Sequence, residues 1–164
     1  MNIFILDYDV DQCAKHHCDQ HVSKMILESA QLLCTALNKQ GFTTPYRSTH
    51  TQHPCTIWAG DSYDNFQWLV NLSIALNDEY RWRYNKENDH ASIKVIRNIE
   101  QYRFPSKGLT PFVQAMPNQY KVPNDPVEAY RCFYRAEKSA FAKWTKRDVP
   151  DWFLPLKKCE TLQT

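Results

Sequence analysis

Placed at 100° per residue, positions 13–37 separate into two faces. Ala14, Cys18, Val22, Met25, Ser29, Leu32 and Ala36 fall together, flanked by Ile26, Ala30, Leu33 and Leu37, a wedge broad enough to be buried. His17, His21, Lys24, Glu28, Gln31 and Thr35 form a second, wholly polar stripe, and steps of three and four stack these side chains over one another. The pattern predicts one helix from about residue 11 to 39, capped by Asp9 or Asp11 and ended by the left-handed tolerance of Gly41. Upstream, the apolar run 2–6 is either one strand or an extended arm laid on the helices.

Further along, 42–55 is a polar loop rich in Thr, Pro and His. Phe66, Leu69, Leu72 or Ser73, Leu76 and Tyr80 recur at helical spacing and predict a helix from about 62 to 84, with Asp61 as its cap. A shorter helix is expected over about 90–102, before Pro105. Residues 103–124 carry four prolines and read as an ordered surface loop, with Phe104, Phe112, Met116 and Tyr120 to bury. Asp125-Pro126-Val127-Glu128 is a start signal, with cap, N1 proline and a Glu reaching back, for a helix to about 142. The expected fold is mainly α: one compact domain over 1–164, a bundle of about four helices with long loops and little or no β.

Composition supports this reading. Only three glycines among 164 residues leave few positions for tight β-turns. The chain is long enough to bury a core without staples. No leader or membrane-spanning run is apparent, so a cytoplasmic protein is expected, with Cys13, Cys18, Cys34, Cys55, Cys132 and Cys159 as reduced thiols. Net charge is +2, but residues 131–147 hold Arg131, Arg135, Lys138, Lys143, Lys146 and Arg147 against Glu137 alone, a local charge of +5. Interleaved with Tyr134, Phe141 and Trp144, that run is either a solvated helix face or a phosphate-binding surface.

The polar stripe is either the wet side of an amphipathic helix, with Lys24 and Glu28 as an ordinary i,i+4 pair, or a site. Two histidines beside a Glu and a Lys are an unusual choice for solubility alone. Glu28 and His21 sit at the boundary with the apolar wedge, where a carboxylate is partly desolvated and suited to acid–base work. His50 and His53 in the following loop are a second candidate cluster. His17 and His21, with Cys13, Cys55 or His53, leave open a metal-dependent nuclease or nucleotide hydrolase. The zinc-protease motif, Cys-x-x-Cys pairs, phosphate-binding glycine loops and dinucleotide fingerprints are absent.

The run Cys18-Asp19-Gln20-His21, with Glu28 seven residues beyond the His, resembles the phage-type pyrimidine-dimer DNA glycosylases. Tyr130-Arg131-x-Phe133-Tyr134-x-x-x-Lys138 and the Trp-rich end are similar to that family's basic, aromatic C-terminus. The chain also resembles a group of phage-borne proteins through its segments 18–28, 53–58 and 144–153. The first resemblance implies a small helical protein that removes a damaged or modified base, in phage DNA repair or phage–host conflict. Glu28 would be the catalytic carboxylate and His21 its neighbour, with the start of the chain lying in the active site. That family's nucleophile is a terminal amine exposed by loss of Met. Asn2 is bulky here, so Met1 is expected to stay and the amine nucleophile is displaced by a residue or lost; a glycosylase in which Glu28 orients water is compatible with that departure, and strand cleavage is left open. The expected lining and DNA contacts are His17, Lys24, Gln31, His50, His53, Tyr130, Lys143, Lys146 and Arg147. DNA is the expected partner of a monomer that needs no metal or other cofactor.

Overall fold

A computed structural model describes residues 1–154. It holds six α-helices, with no strand among the described residues: α1 (Val10–His16), α2 (Asp19–Asn38), α3 (Pro54–Asp61), α4 (Tyr63–Arg83), α5 (Ala91–Ile99) and α6 (Pro126–Glu137). The mainly helical class expected from the pattern is what the chain adopts. No helix among the described residues is long and apolar enough to cross a membrane.

The first expected helix is two. Asp9, not Asp11, caps α1 by accepting from Gln12 N–H at 2.9 Å. The chain then turns extended at His17 and Cys18 before α2 begins. Tertiary partners hold this corner. Arg83 donates to the His17 carbonyl at 2.7 Å and the Lys15 carbonyl at 2.9 Å, while the Tyr134 hydroxyl receives Cys18 N–H at 3.0 Å. Helical periodicity runs through the break because both halves bury the same side. Gly41, with φ +93°, ends the run beyond α2 as expected.

α3 starts at the last two residues of the expected 42–55 loop and covers 56–61, for which no element was expected. Pro54 occupies its first turn, and His53 caps it through a ring nitrogen that accepts from Cys55 N–H at 3.1 Å. Asp61 ends α3 and does not cap α4. Ser62 is the extended residue between them, and its hydroxyl donates to Gly108 O at 2.7 Å. α5 stops at Ile99 and α6 at Glu137, each short of the expected 102 and 142. Beyond α6 the chain turns back so that Trp144 Nε1 reaches the His16 carbonyl at 2.9 Å. Asp125 does cap α6, accepting from Glu128 N–H at 3.1 Å.

α4 is the central helix, packed on α1, α2, α3 and α5. Residues 3–6 form the expected arm, fully buried. α6 packs largely through this arm: the Phe4 ring lies against Tyr130, Phe133 and Tyr134, and Arg131 Nε donates to Leu6 O at 3.0 Å. The arm threads the start of the chain towards the middle of α2.

Candidate functional site

Threading the arm in this way places the α-amine of Met1 3.6 Å from Glu28 Oε1. The Met1 side chain is packed against the core, and that of Glu28 is 18% exposed. Asn2 fixes the geometry. Its Nδ2 donates to Ala115 O at 2.8 Å, and its Oδ1 accepts from Ile3 N–H at 2.8 Å and lies 3.0 Å from the Tyr130 hydroxyl. Cys55 Sγ makes a weaker approach to the same oxygen at 3.5 Å. Asn2 is thereby tied to the loop at Ala115, to α6 at Tyr130 and to the arm at Ile3.

His53 completes this end of the site. Beyond capping α3 it lies near the chain-start α-ammonium, and burial together with that charge and His50 lowers its pKa. His50 is exposed, with φ +50°, a strained value for a residue with a side chain. Its ring bonds Thr49 Oγ1 at 2.8 Å, and its carbonyl accepts from Thr56 Oγ1 at 3.1 Å. Thr35, expected on the wet stripe, is buried and clamps this loop, its hydroxyl lying within 3.2 Å of both Thr49 N and O. The rigid loop and α2 enclose a groove of about 570 Å³ lined by Leu27, Gln31, Pro45, Tyr46, Arg47, Ser48, Thr49 and His50. Gln31 follows Glu28 by three residues on one helix, so the groove opens one turn from the carboxylate.

His21 lies towards the other end of the same stripe, but it is not a surface residue. It is 4% exposed, its ring stacked on Phe4 at 4.5 Å with Nδ1 2.8 Å from the Tyr134 hydroxyl. Burial, followed by His17, Lys138 and Lys24, pushes its pKa down to about 3, so the ring is neutral at physiological pH. His17 departs further from expectation. The corner between α1 and α2 takes it off the stripe, and it is wholly buried with Nδ1 2.7 Å from Cys13 O. A DNA contact by His17 does not fit that burial. Nor do His17 and His21 share one helix, and no three His, Cys, Asp or Glu side chains among the described residues converge as a metal site. Cys13, Cys18, Cys34, Cys55 and Cys132 are free thiols, and Cys159 lies outside the described residues.

The other expected contacts divide. Lys24 is exposed and Gln31 half-buried, both on the face that carries Glu28. Tyr130 is wholly buried as a clasp, its hydroxyl also receiving Ala115 N–H at 3.2 Å, and so cannot line a base pocket. Lys143 is exposed and gives its carbonyl to Asp19 N–H at 2.7 Å. Lys146 donates to Trp82 O at 2.7 Å, and Arg147 pairs with Glu79 and covers the Trp82 ring at 4.1 Å. Arg131 pairs with Asp7 and Arg135 with Glu128. Much of the basic run thus serves internal bonds rather than one open patch. Sequence reasoning did not name Asn2, Phe4 or Arg47 as site residues, although the stripe on α2, the histidine loop and the resemblance's chain start all pointed to this region. No family model, curated protein or solved structure matches the chain.

Proposed function

We propose that the protein is a DNA glycosylase that removes a damaged or modified base, with Glu28 as its catalytic carboxylate. The supporting observation is the pairing of Glu28 with the Met1 α-amine at 3.6 Å, beside His53 and one helical turn from Gln31, which lines the groove. Breaking an N-glycosidic bond passes through an oxocarbenium-like sugar, which a carboxylate stabilises while it orients the attacking water. The reacting base must leave the stack and enter a pocket. The groove between α2 and the 45–50 loop has the volume for one nucleotide unit, and Gln31, Arg47 and His50 offer hydrogen bonds to it. In this reading water carries the sugar to product, the base leaves with a proton, and an abasic site remains.

The experiment measures abasic-site formation on duplexes carrying a series of damaged and modified bases, for wild type and Glu28→Gln, with and without chelator. Base release that is lost in Glu28→Gln and survives chelation is expected. Release that persists in Glu28→Gln, or none from any duplex, overturns the proposal.

A further inference from the structure

The basic run loses most of its free charge to internal bonds, yet Lys138 is different. It caps the C-terminal end of α6, with its ammonium 5.0 Å from the centre of the Phe133 ring and 5.8 Å from that of Phe4. Phe4 in turn stacks on His21, and Phe141 meets the His21 ring edge-on at 5.7 Å. Lys24 stands one turn from His21 on α2, and the charges of Lys138 and Lys24 both weigh against protonation of that imidazole.

The neighbouring carboxylates are already engaged. Glu28, four residues beyond Lys24, faces the Met1 amine; Glu137, next to Lys138, accepts from the Tyr120 hydroxyl at 2.7 Å. Asp19 is held by Arg83 at 3.1 Å and by Thr145 N–H at 2.8 Å. Neither Lys24 nor Lys138 has an ion-pair partner among the described residues. With the Tyr134 hydroxyl donating to Nδ1, the one ring proton of the neutral His21 lies on Nε2, a donor without a partner among the described residues. Two like charges and a spare imidazole nitrogen, with every nearby acid occupied, form a place that an anion would neutralise.

We infer that Lys138, Lys24 and His21 Nε2 hold a backbone phosphate of the DNA strand whose base is presented to Glu28. The inference rests on the glycosylase reading and moves phosphate binding from Lys146 and Arg147 to the junction of α2 and α6. The aromatic rings around Lys138 hold its stem in place, so little side-chain freedom is lost on binding.

The test measures binding of the intact protein to a short labelled duplex over a range of salt concentrations, for wild type, Lys138→Ala and Lys138→Arg. One lost phosphate contact lowers the slope of log K against log salt by about 1. That loss is expected for Lys138→Ala, with the wild-type slope kept by Lys138→Arg. A lysine that merely packs on Phe133 would change thermal stability and leave the slope alone, which overturns the inference. Binding of a nucleoside monophosphate that depends on Lys138, without Lys138-dependent duplex binding, also overturns it. Base release measured on the same preparations separates the two readings: release with an unaltered slope removes only the phosphate site, whereas no duplex binding and no release remove both.

Discussion

The hydroxyl of Tyr130 lies 3.0 Å from Asn2 Oδ1, joining positions 128 apart in sequence. Through this contact α6 determines where the chain starts, and so what faces Glu28. The same hydroxyl lies 3.1 Å from Val113 O and receives Ala115 N–H at 3.2 Å, so three segments meet on one oxygen. Tyr130→Phe keeps the ring and removes the meeting point. Leaving buried polar groups unpaired costs about 1–3 kcal/mol, which a shift in urea midpoint at constant m-value would record. Base release should fall in the same variant because the amine and Glu28 lose their register. A midpoint within error of wild type would show that the clasp carries no stability.

The ammonium opposite Glu28 can be removed without touching a side chain. Adding Gly-Ser ahead of Met1 converts the α-amine to an amide and leaves Glu28 without its cation at 3.6 Å. If the pair sets up the carboxylate, base release should fall at least tenfold, equivalent to about 1.4 kcal/mol in the barrier, with duplex affinity little changed. Equal rates for the extended and unextended proteins would assign the amine a purely structural part. Borohydride trapping on the unextended protein adds a second readout. The water mechanism proposed above predicts no covalent adduct, and an adduct would show that the amine attacks the sugar.

The helical class, the Asp125 cap and the buried wedge of α2 were legible in the sequence because each follows from local spacing or capping chemistry, and the first cap was narrowed to Asp9 or Asp11. The corner at His17 and Cys18 was not. It depends on Arg83 and Tyr134, which arrive from 66 and 116 positions away, while the wedge continues in phase across it. α3 was hidden for a different reason: His is a rarer cap than Ser or Asp, so His53-Pro54 reads as loop punctuation. Of the candidate site, Glu28, Lys24, Gln31 and His53 could be placed from periodicity and residue type. The burial of His17 and Tyr130 could not, because a wheel assigns a polar residue to the wet side whether or not another helix covers it. Lys146 and Arg147 read as free cations for the same reason, since their partners Trp82 and Glu79 lie on α4.

Arg83 is the buried centre of the corner, 2% exposed and bonded to Glu79, Asp19 and the carbonyls of Lys15 and His17. Arg83→Met leaves Glu79 to Arg147 alone and strands two carbonyls in the interior. Each buried acceptor left unpaired costs about 1–3 kcal/mol, together a large part of the stability of a domain this size. Lysine cannot reproduce the fork that reaches four acceptors, so Arg83→Lys should recover only a minor share. Thermal denaturation of the two variants checks both statements, and a Lys variant as stable as wild type would refute the second.

Acid should destabilise the fold well before its carboxylates titrate. Burial lowers His21 from its ordinary 6.5 to about 3 and His17 to about 4, so both are neutral when folded. Between 6.5 and those values the unfolded chain binds protons that the folded chain refuses. Stability is therefore complete above about pH 6.5, falls as pH drops through 6 and 5, and stops falling on account of these rings below about 4 and 3. Each contributes a slope of up to about 1.4 kcal/mol per pH unit within its window. His16, His53 and His90 are also lowered and act in the same direction. Glu79 adds a further loss at lower pH: burial opposes its ionisation, but Arg147 and Arg83 outweigh that and hold it below 4.5. Urea midpoints at pH 7.5, 6.0 and 5.0 should fall steadily, with no change between pH 8 and 7. His21→Gln keeps a polar partner for Tyr134 and removes one titrating ring, so its midpoints should fall less steeply. A slope unchanged by that substitution would mean that His21 is protonated in the folded protein, and the neutral imidazole facing Lys24 and Lys138 would have to be given up.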